Sequence, residues 1–87
     1  MPKDELEILP NIGPVLARSL KLVDIKTIED LQQTPYQEIF RRIRQQADSG
    51  ACLAMLMGLV GAQKGLPKHL LDVTTKAEVK AFYKSLV

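Results

Sequence analysis

The 87-residue sequence has no tryptophan, one cysteine and one histidine. Cys52 alone cannot form an intrachain disulfide, and its place in an apolar segment predicts a small buried side chain. His69 has no second histidine or cysteine at ligand spacing, so the sequence predicts no metal site. Catalysis needs a nucleophile or base with a partner that orients it, and none is apparent. We therefore expect a protein without metal, cofactor or enzymatic activity.

Secretion and membrane signals are also missing. The first residues, Met-Pro-Lys-Asp-Glu-Leu-Glu, lack the basic-then-apolar pattern of a signal peptide. The longest apolar run, residues 51–62, is too short to cross a bilayer. The composition is 46% hydrophobic and 25% charged, which is typical of a globular domain. We expect one cytoplasmic domain over residues 1–87 that does not enter a membrane.

The net charge is only +2, but it is unevenly distributed. Residues 1–48 carry 7 basic and 8 acidic groups, whereas residues 49–87 carry 5 basic and 2 acidic groups. In the second half, Lys76, Lys80 and Lys84 recur every four residues and form one row on a predicted helix. Such a row can follow a phosphate backbone, although a solvated helix face is the commoner reading. Arg41, Arg42 and Arg44 follow Glu38 and are expected on a solvated, ion-paired face.

Helical spacing of apolar residues predicts an all-α fold of five or six short helices. The expected segments are 3–8, 14–22, 27–32, 35–47, 51–64, a short turn at 68–72 and a last helix. Capping residues are expected at Thr27, Thr34 and Thr75, with Asp30, Gln37 and Glu78 three residues later. The segment 51–64 is apolar on every side, as a central buried helix would be. The alternative is that its methionines face a second subunit.

Residues 9–14, Leu-Pro-Asn-Ile-Gly-Pro, predict a tight hairpin between the first two helices. Pro14 suits a first helical position because its missing N–H would have no partner there. Gly13 can adopt unusual backbone angles and permits close approach of another backbone, while Asn11 tolerates left-handed angles. Such a turn can direct backbone N–H groups at an anion.

This hairpin resembles that of helix-hairpin-helix (SAM-like) domains, whose usual form is Leu-Pro-Gly-Ile-Gly-Pro-Lys-Thr-Ala. Asn11 replaces the first glycine, and Val15 and Leu16 replace the Lys-Thr pair. The resemblance implies contact between the hairpin and a DNA phosphate. The residues expected to make it are Asn11, Ile12, Gly13 and Val15, with charge from Arg18 and Lys21. Segments 27–32 and 35–47 look like a degenerate second copy, and its glycine-free turn, Gln32–Thr34, predicts a poorer anion site.

A wider similarity runs from about Glu7 to Leu86. The residues that carry it include Leu9–Gly13, Cys52, Leu56, Leu59, Gly61, Ala62, Gly65, His69, Leu71 and Lys84–Leu86. Over this length the chain resembles the C-terminal domain of TfoX/Sxy-type competence regulators, which also occurs as a stand-alone small bacterial protein. Family members carry glutamates and a tryptophan where this chain has Met55, Val60 and Lys68. The resemblance implies an all-helical domain with a DNA-linked or regulatory role and no known catalysis.

The sequence therefore predicts a leading function and one alternative. The first is a small accessory domain that binds DNA without reading its sequence, because contacts to phosphate carry no base information. The second is a regulatory module that binds another protein, or a second copy of itself, and has lost nucleic-acid binding. The low net charge, the missing Lys-Thr pair and the apolar central segment favour the second.

Overall fold

The computed structural model describes residues 5–87, and within that range the chain is all-helical, with no strand. It contains five α-helices: α1 (Pro14–Leu22), α2 (Ile28–Gln33), α3 (Tyr36–Arg42), α4 (Leu53–Lys64) and α5 (Val73–Leu86). Two short 3₁₀ turns, Glu5–Ile8 and Lys68–Leu70, precede α1 and α5. The helix expected over residues 3–8 is thus a 3₁₀ turn in its described part, and residues 3 and 4 lie outside the described range.

The start of α2 follows the predicted capping pattern. The Asp30 N–H donates to the Thr27 hydroxyl at 3.0 Å, and the Asp30 carboxylate accepts from the Thr27 N–H at 3.2 Å. A second carboxylate, that of Glu5, accepts from the Ile28 N–H at 2.8 Å. These bonds satisfy donors that the first turn of a helix leaves without an internal partner.

Two other predicted caps are wrong. At α3, Thr34 does not cap the helix; its hydroxyl donates backwards to the Asp30 carbonyl at 2.9 Å, and Pro35 stands at the N-cap. At α5, Asp72 caps the helix by accepting from the Thr75 N–H at 2.9 Å, so α5 begins before the predicted Thr75 box. Aspartate is a stronger N-cap than threonine, which explains the earlier start.

The predicted long helix over 35–47 changes type near its middle. After α3 the backbone continues as a π-helical turn, Ile43–Ala47, closed by the Asp48 N–H donating to the Ile43 carbonyl at 2.7 Å. The wider turn ends at Asp48, as the sequence predicted. Arg44, within this turn, donates to the Ala51 carbonyl at 3.0 Å and ties the turn to the segment that leads into α4.

One hydrophobic core joins all five helices. Its buried side chains are Leu6, Ile12, Leu16, Ala17, Leu20, Val23, Ile25, Leu31, Ile39, Phe40, Ile43, Ala51, Leu56, Leu59, Val60, Ala62, Leu71 and Val79. The helical spacing of apolar residues is confirmed, since α1 and α3 each bury one stripe of them, and half-buried Phe82, Tyr83 and Leu86 continue on α5 the stripe of buried Val79. Phe82 meets Tyr36 edge-to-face with ring centroids 5.7 Å apart. Such aromatic pairs add to the stabilisation from buried area.

The central helix α4 is only partly enclosed. From Leu56 onward most of its residues are buried, whereas Leu53, Met55 and Met57 are half-buried and Ala54 is exposed. Cys52, predicted to be buried, is exposed instead, because it lies at the N-cap of α4 where the chain enters from solvent. The first two turns of α4 therefore present an apolar surface that the rest of the fold does not cover.

Candidate nucleic-acid interface at the first hairpin

The first hairpin, residues 9–14, turns at Asn11 rather than at Gly13. Asn11 has φ +69°, in the left-handed region that few non-glycine residues adopt. Gly13 has φ −99° and ψ −173°, which is ordinary extended backbone. The expected tolerance of Asn11 for left-handed angles is confirmed, while the expectation of unusual angles at Gly13 is wrong. The residue that replaces the family's first glycine carries the strained conformation itself.

The Asn11 side chain joins the hairpin to residues that lie far along the chain from it. Its amide nitrogen donates to the Gly58 carbonyl at 3.2 Å and to the Leu66 carbonyl at 2.9 Å. Its amide oxygen accepts from the Lys68 N–H at 3.0 Å. One side chain thus links α4, the loop after α4 and the 3₁₀ turn at Lys68. We call this set of bonds the Asn11 clamp.

Two glycines of α4 make room for the clamp. A Cβ at Gly61 would lie 2.6 Å from the Asn11 amide nitrogen and 2.7 Å from the Leu66 carbonyl oxygen. A Cβ at Gly58 would lie 3.3 Å from the Asn11 Cβ. These glycines therefore allow α4 to approach the hairpin and the following loop closely. Gly65, with φ +72°, ends α4 and directs the chain back toward Asn11.

The N-terminus of α1 opens toward solvent. Gly13 and Pro14 are exposed, no side chain caps the helix, and the Val15 side chain is 68% exposed. The N–H groups of Val15 and Leu16 belong to the first turn, where a helix offers them no internal acceptor. A Cβ built at Gly13 meets no atom within 4 Å. Asn11 binds the hairpin to α4 and the loop after it, and the first turn of α1 remains exposed to solvent.

Ile12, the remaining predicted hairpin ligand, has a buried side chain, so only its backbone could contact a phosphate. The Asn11 amide is committed to the clamp and is not available for an anion. Within the predicted set, Gly13 and Val15 are the residues at the open helix end. The structure thus divides the predicted hairpin residues into two that anchor the turn and two that face solvent.

Cationic side chains surround this end of the molecule. Arg18 and Lys21 are exposed on α1, on the face that begins at Pro14, as the helical spacing predicts. Lys68 is also exposed and lies beside the hairpin. A depression of about 350 Å³ separates the first turn of α1 from α4, and Lys68 lies at its edge. No acidic residue lines this depression among residues 5–87.

The second hairpin, residues 32–35, is built differently. The Gln63 side-chain amide donates to the Leu31 and Thr34 carbonyls, both at 2.8 Å, and so joins the C-terminal end of α2 to α4. The carboxylate of Glu78 lines the depression beside this turn, near Tyr36. Burial, and secondarily this carboxylate, raise the pKa of the Tyr36 phenol. Lys64 lines the same depression, and the turn contains no glycine. That this turn is the poorer anion site stays a prediction.

The predicted lysine row is split by its surroundings. Lys76 and Lys80 line a second depression, of about 380 Å³, between the exposed part of α4 and α5. Lys84 lies farther along α5 and does not line it. Ala54 and Lys68 line both this depression and the one at the first hairpin, so the two surfaces predicted separately are neighbours. No acidic residue from the described part of the chain lines this second depression either.

The three arginines of the third helical segment are structural rather than simply solvated. Arg42 forms the predicted ion pair with Glu38, at 3.1 Å, and also donates to the Val23 carbonyl at 3.3 Å. Arg44 binds the Ala51 carbonyl, and Arg41 lies 5.2 Å above the Phe82 ring. Their guanidinium groups hold α3 and its π turn to the neighbouring elements.

Residues 5–87 offer neither a candidate metal centre nor a candidate membrane span. These residues contain no group of three or more His, Cys, Asp or Glu side chains that could hold a metal ion. None of the helices in this range is both long enough and apolar enough to cross a bilayer. The replaced family positions also differ in their placement: Val60 is buried, Met55 half-buried and Lys68 exposed.

Comparison with known proteins agrees with the fold. The family profile of the TfoX C-terminal domain matches residues 2–83. The chain belongs to the TfoX C-terminal domain family. No curated protein sequence matches it.

Two crystal forms from Listeria monocytogenes show the same fold as this TfoX C-terminal domain. The triclinic form of an uncharacterized protein is 42% identical, with a TM-score of 0.89 over 93% of this chain and 91% of that one. The tetragonal form of a protein of unknown function is 41% identical, with a TM-score of 0.90 over 94% of this chain and 99% of that one. Neither description gives an activity.

Proposed function

We propose that this TfoX C-terminal domain binds the phosphate backbone of duplex DNA through its first hairpin, without reading base sequence. The observation that carries the proposal is the open N-terminus of α1. It has no side-chain cap and its surface is exposed. The Asn11 amide donates to the Gly58 and Leu66 carbonyls and does not bind the N–H groups of the first turn. A helix N-terminus of this kind favours an anion through both its N–H groups and its dipole.

The missing Lys-Thr pair is compensated by cations from other positions. Arg18 is exposed on α1, and its guanidinium forms no hydrogen bond or ion pair with any of residues 5–87. Lys21 lies about 10 Å along the helix from the hairpin, since each residue rises about 1.5 Å. Lys68, which lines the depression beside the hairpin, adds a third positive charge. Together they suit two or more neighbouring phosphates on one strand.

The proposal predicts weak, salt-dependent binding. A labelled duplex of random sequence, followed by fluorescence anisotropy over a range of salt concentrations, measures the affinity. The logarithm of the binding constant should fall with the logarithm of salt concentration with a slope of about −2 to −4, for about two to four phosphate contacts. A scrambled duplex should bind equally well.

Gly13→Val is the decisive variant. The extended backbone at Gly13 accepts a β-branched residue, and a Cβ there meets no atom within 4 Å, so the variant should fold. The valine methyl groups would block approach of a phosphate, and binding should be lost. Gln32→Val, an exposed position in the second hairpin, is the matched control and should bind like the parent.

The charged residues supply the second test. Replacing Arg18 and Lys21 with alanine should make the salt slope shallower by about one to two units. If neutralising Lys76, Lys80 and Lys84 removes binding while the hairpin variants do not, the assigned surface is wrong. Absence of binding even at low salt would contradict DNA binding altogether and leave the protein-interaction function.

A further inference from the structure

The depression between α4 and α5 combines an apolar floor with a basic rim. Half-buried Leu53 and Met57 and exposed Ala54 form the floor. The rim is formed by Lys68, Lys76, Lys80 and His69. We call this depression the α4/α5 groove. Its floor is the part of α4 that the core leaves uncovered.

The rim charges are not neutralised within the fold. Among residues 5–87, the ammonium groups of Lys68, Lys76 and Lys80 form no ion pair. Lys76 donates to the His69 backbone carbonyl at 3.4 Å, which holds its side chain at the rim. Glu78, the acidic residue nearest in sequence, lines the depression on the α3 side instead. The groove therefore attracts negative charge while offering an apolar base.

The DNA backbone matches the basic rim of the groove but not its apolar floor. Phosphates would meet the lysines, but they would leave Leu53 and Met57 facing charged, hydrated groups. An occupant that uses the whole groove must carry apolar and acidic groups side by side. The lysines also set a spacing, because Lys76 and Lys80 are one helical turn apart, or about 6 Å along α5. Acidic residues four apart on a neighbouring helix have the same spacing.

We propose that the α4/α5 groove binds an acidic amphipathic helix of a protein partner. Its apolar stripe would rest on Leu53, Ala54 and Met57, and its carboxylates would face Lys76 and Lys80. This is the helix-in-groove mode of recognition, in which a few apolar side chains anchor the helix and the charges select it. The proposal does not depend on DNA binding, because the partner's carboxylates would face Lys76 and Lys80, which do not line the hairpin depression; Lys68 lies between the two surfaces and lines both.

The probe is a synthetic helical peptide of about 18 residues, long enough to populate a helix in water. It carries leucines along one stripe and glutamates four residues apart beside them. One comparison peptide has lysine in place of each glutamate, and another has serine in place of each leucine. Affinity is measured by fluorescence anisotropy, and the binding site is identified from the methionine ε-methyl NMR signals. Met57 reports on the groove, whereas Met55 lines the hairpin depression.

The acidic peptide should bind and shift the Met57 methyl signal more than that of Met55. Both comparison peptides should bind at least about tenfold more weakly. Lys76→Glu with Lys80→Glu should weaken the acidic peptide by at least about tenfold, whereas Lys84→Glu, on the same helix but outside the groove, should change it less than about twofold. Circular dichroism melting curves confirm that each variant is folded.

Several results would overturn the proposal. They are the absence of binding by the acidic peptide, equal binding of the lysine peptide, or a shift confined to Met55. Duplex DNA is the competing occupant. If it displaces the peptide and moves the Met57 signal, the groove belongs to the nucleic-acid surface. Failure of DNA binding at the hairpin, with peptide binding intact, would leave this proposal standing.

Discussion

Each of the two helical hairpins of this domain joins two consecutive helical segments, but different side chains stabilise them. In the first, the Asn11 side chain holds the turn through its own amide and leaves the start of α1 exposed. In the second, Gln63 of α4 binds the carbonyls of Leu31 and Thr34. The first turn is therefore fixed by a side chain of the turn itself, and the second by a side chain of α4.

Under the proposed function, this difference makes the first hairpin an anion site, whereas the second joins the C-terminal end of α2 to α4. An anion needs free N–H groups at a helix start, and α1 has nine residues behind such a start. Helix α3 begins after Pro35 and has Glu78 close to its first residue, Tyr36. A nearby carboxylate repels a phosphate.

The largest expected effect is at the Asn11 clamp. Asn11→Ala removes three hydrogen bonds and places alanine at a left-handed φ, so the free energy of unfolding should fall by about 2–4 kcal/mol. Asn11→Gly keeps the backbone conformation and should cost less, about 1–2 kcal/mol. Urea denaturation measures both. Equal losses would show that backbone strain plays no part at this position.

Gly61→Ala tests the space that the clamp needs. The added Cβ would collide with the Asn11 amide and with the Leu66 backbone, and backbone atoms cannot move aside cheaply. We expect a loss of about 1–3 kcal/mol despite the higher helix propensity of alanine. Gly58→Ala is the matched control, because its Cβ would lie 3.3 Å from its nearest neighbour. A Gly61→Ala variant as stable as Gly58→Ala would contradict the described geometry.

Gln63→Leu tests the second hairpin alone. It removes two hydrogen bonds of 2.8 Å to backbone carbonyls, and the free energy of unfolding should fall by about 1–2 kcal/mol. DNA affinity, measured where the variant is fully folded, should stay unchanged because the first hairpin is intact. A parallel loss of DNA binding would mean that the two hairpins do not act separately.

The smallest effect is a pH dependence confined to one region. The N–H groups of Lys26 and Thr27, with the Thr27 hydroxyl, lower the pKa of Asp30 at the start of α2. A carboxyl with a lowered folded-state pKa stabilises the fold above its unfolded pKa of about 3.9 and loses that contribution as the pH falls through the folded value. Helix α1 begins without a carboxylate.

Hydrogen exchange at about pH 6 and about pH 3, corrected for intrinsic rates, tests this difference. Protection of α2 should decrease more than protection of α1 on acidification, and Asp30→Asn should reduce the difference, because the Glu5 carboxylate still accepts from the Ile28 N–H. If acidification lowers the protection of α2 by the same amount in the parent and in the Asp30→Asn variant, the capping box is not the cause of the loss.

Much of the fold could be predicted because its signals are local. Proline at the start of α1, the Thr27–Asp30 pair and the glycine after α4 each act within a few residues. The starts of α3 and α5 were misplaced because the Thr34 hydroxyl donates back to the Asp30 carbonyl and because Asp72 caps α5 ahead of Thr75. The exposure of Cys52 was missed because composition alone does not show where a helix emerges from the core.

The clamp could not be predicted because it joins residues far apart in sequence. Asn11 contacts Gly58, Leu66 and Lys68 only once α4 has folded back on the hairpin. A signal was nevertheless present. A polar residue stood where the related hairpins have glycine, and two glycines three residues apart interrupted an otherwise apolar helix. Read together, they indicate a side chain inserted against that helix.

The central claim is that the first hairpin, and not the second, receives a DNA phosphate. Titration of ¹⁵N-labelled protein with a short duplex at low salt tests it directly. The amide signals of Gly13, Val15 and Leu16 should shift most, and those of Gln33 and Tyr36 should stay in place. Shifts at the second hairpin or along α5, with the amides of the first hairpin unmoved, would contradict the account.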